Sequence, residues 1–389
     1  MNVQKLDSIV RFIRSLYGRN NGFIPLHTPV FGGNEKRYLN DCIDTGFVSS
    51  VGAYVDRFEQ MIQELTGIRY AVATVNGTAA LQIALLLSGV KEKEEVITQP
   101  ITFVATVNAI RYCRAEPVFI DVERRTLGLC PQKLEEFLEK NTVLKDNGGC
   151  YNATSGRRIA ACMPMHVFGH PVQIDRIVEV CNRYNIPIVE DAAESIGSMY
   201  KNRHTGAFGL VGVFSFNGNK TVTTGGGGMI VTNDEQITKT AKHITTTAKV
   251  PHAWEYVHDQ LGYNYRLPNI NAALGCAQIE QLPKFIERKR EIAQKYQEFF
   301  EKMGIPFVSE IEKSRSNYWL NSILLKDREE REAFLRYTND NKVMTRPLWR
   351  TMTRLDMYKD CQSFKLEEAY WLEDRLVNIP SSAWIYPDT

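Results

Sequence analysis

Tyr70-Ala71-Val72-Ala73-Thr74-Val75-Asn76-Gly77-Thr78-Ala79-Ala80-Leu81 is the stretch that decides the fold. A short apolar run ends at Asn-Gly, and a helix-forming run continues to about Leu87. The same alternation repeats downstream. Residues 95–97, 117–122, 158–167, 186–189, 211–216 and 228–231 read as strands, and residues 132–140 and 174–184 as helices, with another after Pro100 and Thr102. The strands are continuous apolar runs, as expected when both faces of a sheet are buried. The prediction is an α/β fold: three layers around a mostly parallel sheet.

Working outward, residues 3–17 carry apolar side chains at near-helical spacing and predict an amphipathic helix. Residues 23–55 read as a long Gly- and Ser-rich connection, with a helix over 35–43. After about Leu282 a charged helix (residues 285–300) leads into mixed α+β text. We therefore expect a large domain over 1–282, including the N-terminal helix, and a smaller C-terminal α+β domain over 283–389.

Composition narrows the function. The chain has 389 residues, and 47 Lys+Arg against 45 Asp+Glu give a formal charge of +2. Neither a basic block nor a helix-turn-helix signal points to nucleic acid. No apolar run is long enough for a bilayer, and Arg11 and Arg14 interrupt the first apolar stretch, so no secretory leader is expected. Eight scattered cysteines without a CxxC pair fit reduced, mostly buried thiols in a cytoplasmic protein.

Ligands in open α/β sheets gather at the carboxyl ends of strands, and three groups fall there. Asn76-Gly77-Thr78 opens a helix whose free N–H groups suit an anion; the same residues also suit a plain N-cap and turn. Asp191 directly follows an apolar strand, where a carboxylate either meets a cation or caps the next helix. Lys220 stands between an apolar strand and Gly225-Gly226-Gly227-Gly228. A lysine withdrawn from water becomes a nucleophile. Gly218-Asn219-Lys220-Thr221 is not a phosphate-binding P-loop: Asn219 stands directly before the lysine, where that motif needs glycine. No His/Cys arrangement supports a catalytic metal. One cofactor uses all three groups. Pyridoxal 5′-phosphate needs an amine for its aldehyde, a carboxylate for its ring nitrogen and a cradle for its phosphate.

The chain resembles the DegT/DnrJ/EryC1/StrS family of sugar aminotransferases over nearly its whole length. The motifs run in the family's order: Gly52-Ala53-Tyr54-Val55-Asp56-Arg57-Phe58-Glu59, Asn76-Gly77-Thr78-Ala79-Ala80-Leu81, Pro100-Ile101-Thr102-Phe103-Val104-Ala105-Thr106-Val107-Asn108, His166-Val167-Phe168-Gly169-His170-Pro171, Glu190-Asp191-Ala192-Ala193-Glu194-Ser195, Ser215 through Lys220, and Gly262-Tyr263-Asn264-Tyr265-Arg266 with Ala272-Ala273. More narrowly, Ile24-Pro25-Leu26-His27, Val48-Ser49-Ser50-Val51-Gly52, Asn217-Gly218-Asn219-Lys220 and Thr245-Thr246-Thr247-Ala248-Lys249 resemble the LegC-type branch.

The resemblance implies the pyridoxal-phosphate-dependent fold type I, like aspartate aminotransferase. It implies that Lys220 holds the cofactor as a Schiff base, that Asp191 pairs with the pyridine nitrogen, and that Gly77, Thr78 and Ser215 bind the phosphate. Phe103 is placed against the ring. Glu194 stands near the cofactor's O3′, where many members have Gln. Asn264 reaches the phosphate of a second subunit, which implies a homodimer with shared sites. His166, Arg266, Tyr318 and Arg346 are candidate substrate contacts. The implied reaction moves the amino group of L-glutamate to C4 of a nucleotide-linked 4-keto-6-deoxy sugar. The branch points to UDP-2-acetamido-2,6-dideoxy-4-keto-hexose, on the way to legionaminic-type nonulosonic acids. GDP-4-keto-6-deoxymannose (giving perosamine) and a non-catalytic regulatory role are the alternatives. A dehydratase of this fold carries His in place of the lysine, and here Lys220 is intact.

Overall fold

A computed structural model describes residues 1–383. Among the described residues, the central sheet is built from β1 (Tyr70–Thr74), β2 (Glu95–Thr98), β3 (Glu116–Ile120), β4 (Ile159–Cys162), β5 (Val189–Asp191), β6 (Val211–Ser215) and β7 (Gly228–Thr232), and the two-residue strand Ser363–Phe364 adds in parallel to the free edge of β3. Their order is β1-β7-β6-β5 and then β4-β2-β3, with the two halves joined by the parallel bridges Cys162–Ile188 and Met165–Asp191. Neighbouring strands run parallel except where β7 pairs with β1 and β6.

Side chains alternate across the sheet, and both faces are covered. Val72, Val213 and Ile230 pack under helices α4 (Gly77–Leu87), α5 (Val104–Tyr112) and α8 (Glu235–Thr245). Ala71, Ala73, Phe214 and Met229 point the other way. They meet α2 (Glu35–Asp44), α3 (Ala53–Thr66) and α9 (Asn269–Lys302). Helices α6 (Pro131–Asn141) and α7 (Ile174–Arg183) cover the same half of the sheet as β2, β3 and β4. This is the three-layer arrangement that the apolar strand pattern requires.

Four details differ from the reading of the sequence. The strand expected over 158–167 ends at Cys162. Met163 N–H still reaches the Ile97 carbonyl, but Pro164 has no N–H to continue the ladder. Helices α3 and α8 have no counterpart in that reading. The expected boundary at 282/283 falls inside α9, a continuous 34-residue helix that carries Pro283 in its interior. Helix α1 (Val3–Leu16), expected with the large domain, instead buries Leu6, Ile9, Val10 and Ile13 with C-terminal elements. Those are the second half of α9, α10 (Arg328–Asp340), and a small antiparallel sheet of β8 (Asn321–Leu324), β10 (Leu376–Ile379) and β9 (Arg346–Pro347). Its apolar stripe fits against Ile292, Tyr296, Ile323 and Val377.

All eight cysteines are free thiols, seven of them buried. Among the described residues, no helix is long and apolar enough to cross a membrane.

One buried charge in this frame gives a pH prediction. Lys289, on α9, is wholly buried, and its Nζ donates to the carbonyls of Trp319 (3.1 Å) and Ser381. Burial pushes its pKa down to about 7. A neutral amine keeps two N–H groups, one for each carbonyl. In the unfolded chain the lysine titrates near ~10.4, so between that value and the folded one the unfolded state holds the extra proton. Stability then rises with pH across this window. Denaturant unfolding at two pH values inside it should show a gain in the wild type that exceeds the gain in Lys289→Met by about 1–2 kcal/mol. Equal gains would contradict a neutral Lys289.

Candidate active site

The carboxyl ends of β1, β5 and β6 open onto a cavity of about 290 Å³. Helix α4 starts at its wall. Asn76 caps the helix: its Oδ1 accepts from Ala79 N–H at 2.8 Å, and its carbonyl accepts from Ala80 N–H at 3.1 Å. The N–H groups of Gly77 and Thr78 have no acceptor within the helix, so they and the helix dipole face any anion that enters. Ser215, closing β6, stands directly against Gly77. A Cβ on Gly77 would lie 2.8 Å from Ser215 Cβ and 3.0 Å from its Oγ. Only glycine lets the serine hydroxyl and the helix start share one cradle.

Asp191 closes β5 and is buried. Its Oδ2 accepts from Thr106 Oγ1 at 2.7 Å and its Oδ1 from Ala193 N–H at 3.1 Å. Burial raises the Asp191 carboxyl above its usual range, and those two donors offset only part of that effect. A carboxylate in this state is short of a cation. Glu190, one residue earlier, points to the other face of the strand. It accepts from the N–H groups of Gly206, Phe208 and Gly209 and bonds His166 Nε2 at 3.0 Å. Burial acts to raise its pKa too, but His166 and these N–H groups win, and the Glu190 carboxyl sits below the usual range.

Glu194 is buried on the loop after β5. One oxygen accepts from Lys220 Nζ at 3.1 Å and the other from Phe168 N–H at 2.9 Å. Burial pushes its carboxyl up to about 7, against the pull of the Lys220 charge. Lys220 Nζ also lies 4.1 Å from the centre of the Trp319 ring. That indole is fixed in turn, its Nε1–H donating to the Asn219 carbonyl at 2.7 Å.

The structure thus brings Gly77, Thr78, Phe103, Asp191, Glu194, Ser215 and Lys220 around one cavity. A phosphorylated pyridine aldehyde fits this donor set: an amine, a buried carboxylate lacking a cation, and an anion cradle. Five other expected residues lie elsewhere. Asn264 and Arg266 are exposed outside the cavity and bonded to each other, with guanidinium nitrogens at 3.1 and 3.3 Å from Asn264 Oδ1. His166 does not line the cavity. It is wholly buried, its Nδ1 accepts from Val172 N–H at 3.2 Å, and its Nε2 is taken by Glu190. Tyr318 has φ 47°, which turns it away; its hydroxyl accepts from Glu310 N–H at 3.3 Å, and its neighbour Trp319 faces the cavity instead. Arg346 is exposed on β9, donating to Asn339 Oδ1 and the Thr345 carbonyl.

The sequence reading missed Thr106, Trp319 and Trp349 as members of this cavity. Thr106 was within reach of it. Thr102 and Thr106 are four residues apart at a helix start, and their hydroxyls lie 2.5 Å apart. The two tryptophans come from C-terminal segments with no spacing signal.

Residues 30–389 match the DegT/DnrJ/EryC1/StrS aminotransferase family. The chain is 37% identical over 366 residues to the GDP-perosamine synthase of Escherichia coli O157:H7, covering 92% of this chain and 93% of that one. The GDP-perosamine synthase of Vibrio cholerae is 35% identical over 365 residues, 92% of this chain and 94% of its own. Among solved structures, the aminotransferase TlmJ from Streptoalloteichus hindustanus superposes with a TM-score of 0.84 at 26% identity, covering 92% of this chain and 94% of its own.

The cradle is testable without turnover. In Gly77→Ala the new Cβ must displace Ser215, so the apoprotein should bind pyridoxal 5′-phosphate at least about tenfold more weakly in an absorbance titration. Unaltered affinity would show that this helix start does not hold the phosphate.

Proposed function

We propose that this chain, which belongs to the DegT/DnrJ/EryC1/StrS aminotransferase family, moves the amino group of L-glutamate to C4 of a nucleotide-linked 4-keto-6-deoxy sugar with pyridoxal 5′-phosphate as cofactor. The observation that carries the reading is the meeting of Lys220, Asp191, Glu194 and the Gly77–Thr78 helix start at one cavity. When bound, the cofactor supplies an aldehyde for amines and a ring that takes up the electron pair left at a deprotonated carbon.

The chain's own residues do the rest. Gly77, Thr78 and Ser215 bind the phosphate. Asp191, oriented by Thr106 and Ala193 N–H, would hold a proton on the ring nitrogen. Phe103, which lines the cavity, would lie against the ring. Lys220 would hold the aldehyde through its Nζ until a substrate amine is bound. Its Nζ then removes the α-proton of glutamate, and in the second half-reaction returns a proton to C4 of the sugar. Glu194, beside Nζ, can hold or release a proton near neutral pH. Trp319 keeps water from one side of the amine.

The active unit in this reading is a homodimer, with Asn264 reaching the phosphate of the second copy. Its exposure supports that role, as do exposed Trp254, Tyr256 and Leu261 on the neighbouring loop, an apolar surface suited to a partner.

Separate observations favour two nucleotide sugars. The near-full-length GDP-perosamine synthase relatives favour GDP-4-keto-6-deoxymannose, and we take this substrate first. The segments at residues 24–27, 48–52, 217–220 and 245–249 favour UDP-2-acetamido-2,6-dideoxy-4-keto-hexose. Incubation with glutamate and each sugar separates them, since only the true acceptor sustains release of 2-oxoglutarate beyond one turnover. Lys220→Ala should lower kcat by at least about a thousandfold and abolish the absorbance band of the lysine-bound cofactor. An unchanged spectrum would refute the assignment.

A further inference from the structure

We propose that Trp349 is a substrate-binding residue, its indole forming the platform for the hexose ring of the nucleotide sugar. The inference rests on the sugar aminotransferase reading and adds a residue to it. Trp349 follows β9 and lines the same cavity as Lys220 and Asp191. There it packs beside Phe103, with ring centroids 6.1 Å apart and planes at 58°. The two rings give an apolar wall to a cavity that otherwise holds the anion cradle and the buried carboxylates.

The indole is firmly backed. Phe168, wholly buried, packs against it at 4.7 Å, and Phe168 N–H is held by Glu194, the side chain that also bonds Lys220. The backbone beside it is pinned by Leu348 N–H to the Leu376 carbonyl at 3.1 Å. Its position is therefore coupled to that of the reacting amine. One polar atom is also left over. Trp319 spends its indole N–H on Asn219, whereas the indole N–H of Trp349 meets no acceptor among the described residues and is not sealed from solvent. A tryptophan with an apolar face and a free donor at a cavity mouth is equipped for a ligand that is apolar on one side and oxygen-bearing at its edge.

The lining selects which substrate that is. Among the described residues Lys220 is the one cation lining the cavity, while Asp191 and Glu194 are its anions. Glutamate brings two carboxylates, and an aromatic wall gives them nothing to pair with. A 6-deoxy hexose is a neutral ring with C–H faces, a methyl group and hydroxyl acceptors, which suits Trp349.

The two half-reactions give the test, because they share every residue except those that meet only one substrate. Each is followed separately by rapid-mixing absorbance, with glutamate on one form of the enzyme and nucleotide sugar on the other. In Trp349→Ala the sugar concentration for half-maximal rate should rise about tenfold more than the glutamate concentration does. Trp349→Phe should recover most of the loss, with a residual deficit from the missing N–H. Equal losses in both half-reactions, or no change with the sugar, would overturn the proposal. A wild-type protein that consumes glutamate but neither sugar would instead overturn the parent reading, and this one with it. Melting curves confirm that the variants fold, and Trp349→Leu, which fills the space without an aromatic platform, takes the alanine variant's place with the same expected outcome if that one does not.

Discussion

The site hangs on one buried carboxylate. Glu194 is buried, so each oxygen needs a donor from the protein. One takes Lys220 Nζ and the other Phe168 N–H. This divides its influence between the amine and the aromatic wall of the cavity. The backbone of the same residue ties in the C-terminal part of the chain. Asn317 Nδ2 donates to the carbonyls of Glu194 and Ile196 at 2.9 Å each, while its Oδ1 accepts from Trp319 N–H at 2.8 Å. Trp319 then covers Lys220. Sheet, reactive lysine and C-terminal wall are thereby held in a single hydrogen-bonded assembly.

Adjacent acids on β5 show how the fold separates scaffolding from chemistry. Glu190 and Asp191 differ by one position, and the pleat sends them to opposite faces. Glu190 is saturated with backbone N–H groups and His166, which stabilises its charge within the scaffold. Asp191 receives two donors and faces the cavity. Its deficit of positive charge is what a protonated ring nitrogen would relieve. A carboxylate as fully satisfied as Glu190 would have nothing left to offer a ligand.

How much of this could be read from the sequence follows the range of the interactions. Local signals located the strands around Val72, Ile97, Val189 and Val213, and placed Gly77, Asp191, Ser215 and Lys220 at strand ends, because each depends on a few neighbouring residues. Resemblance supplied Phe103 and Glu194, which carry no signal of their own. The errors are long-range or stereochemical. Helix α1 looks alike whichever apolar face it covers, so its docking on the C-terminal sheet left no trace in its own spacing. Tyr318 and Trp319 are adjacent aromatics, and the positive φ at Tyr318 decides which one faces the cavity. His166 sits in a motif near Asp191, yet its partner is Glu190, on the far face of the same strand.

The central claim is that Lys220, and not another buried lysine, carries the cofactor. Lys289 is the natural rival, since burial lowers its pKa to about 7, but it is tied to the Trp319 and Ser381 carbonyls and does not line the cavity. Borohydride reduction of the protein loaded with pyridoxal 5′-phosphate, followed by digestion and peptide mass analysis, decides between them. The account predicts one phosphopyridoxyl group, on the peptide containing Lys220. A label on Lys289 or any other lysine, or no label at all, would contradict it.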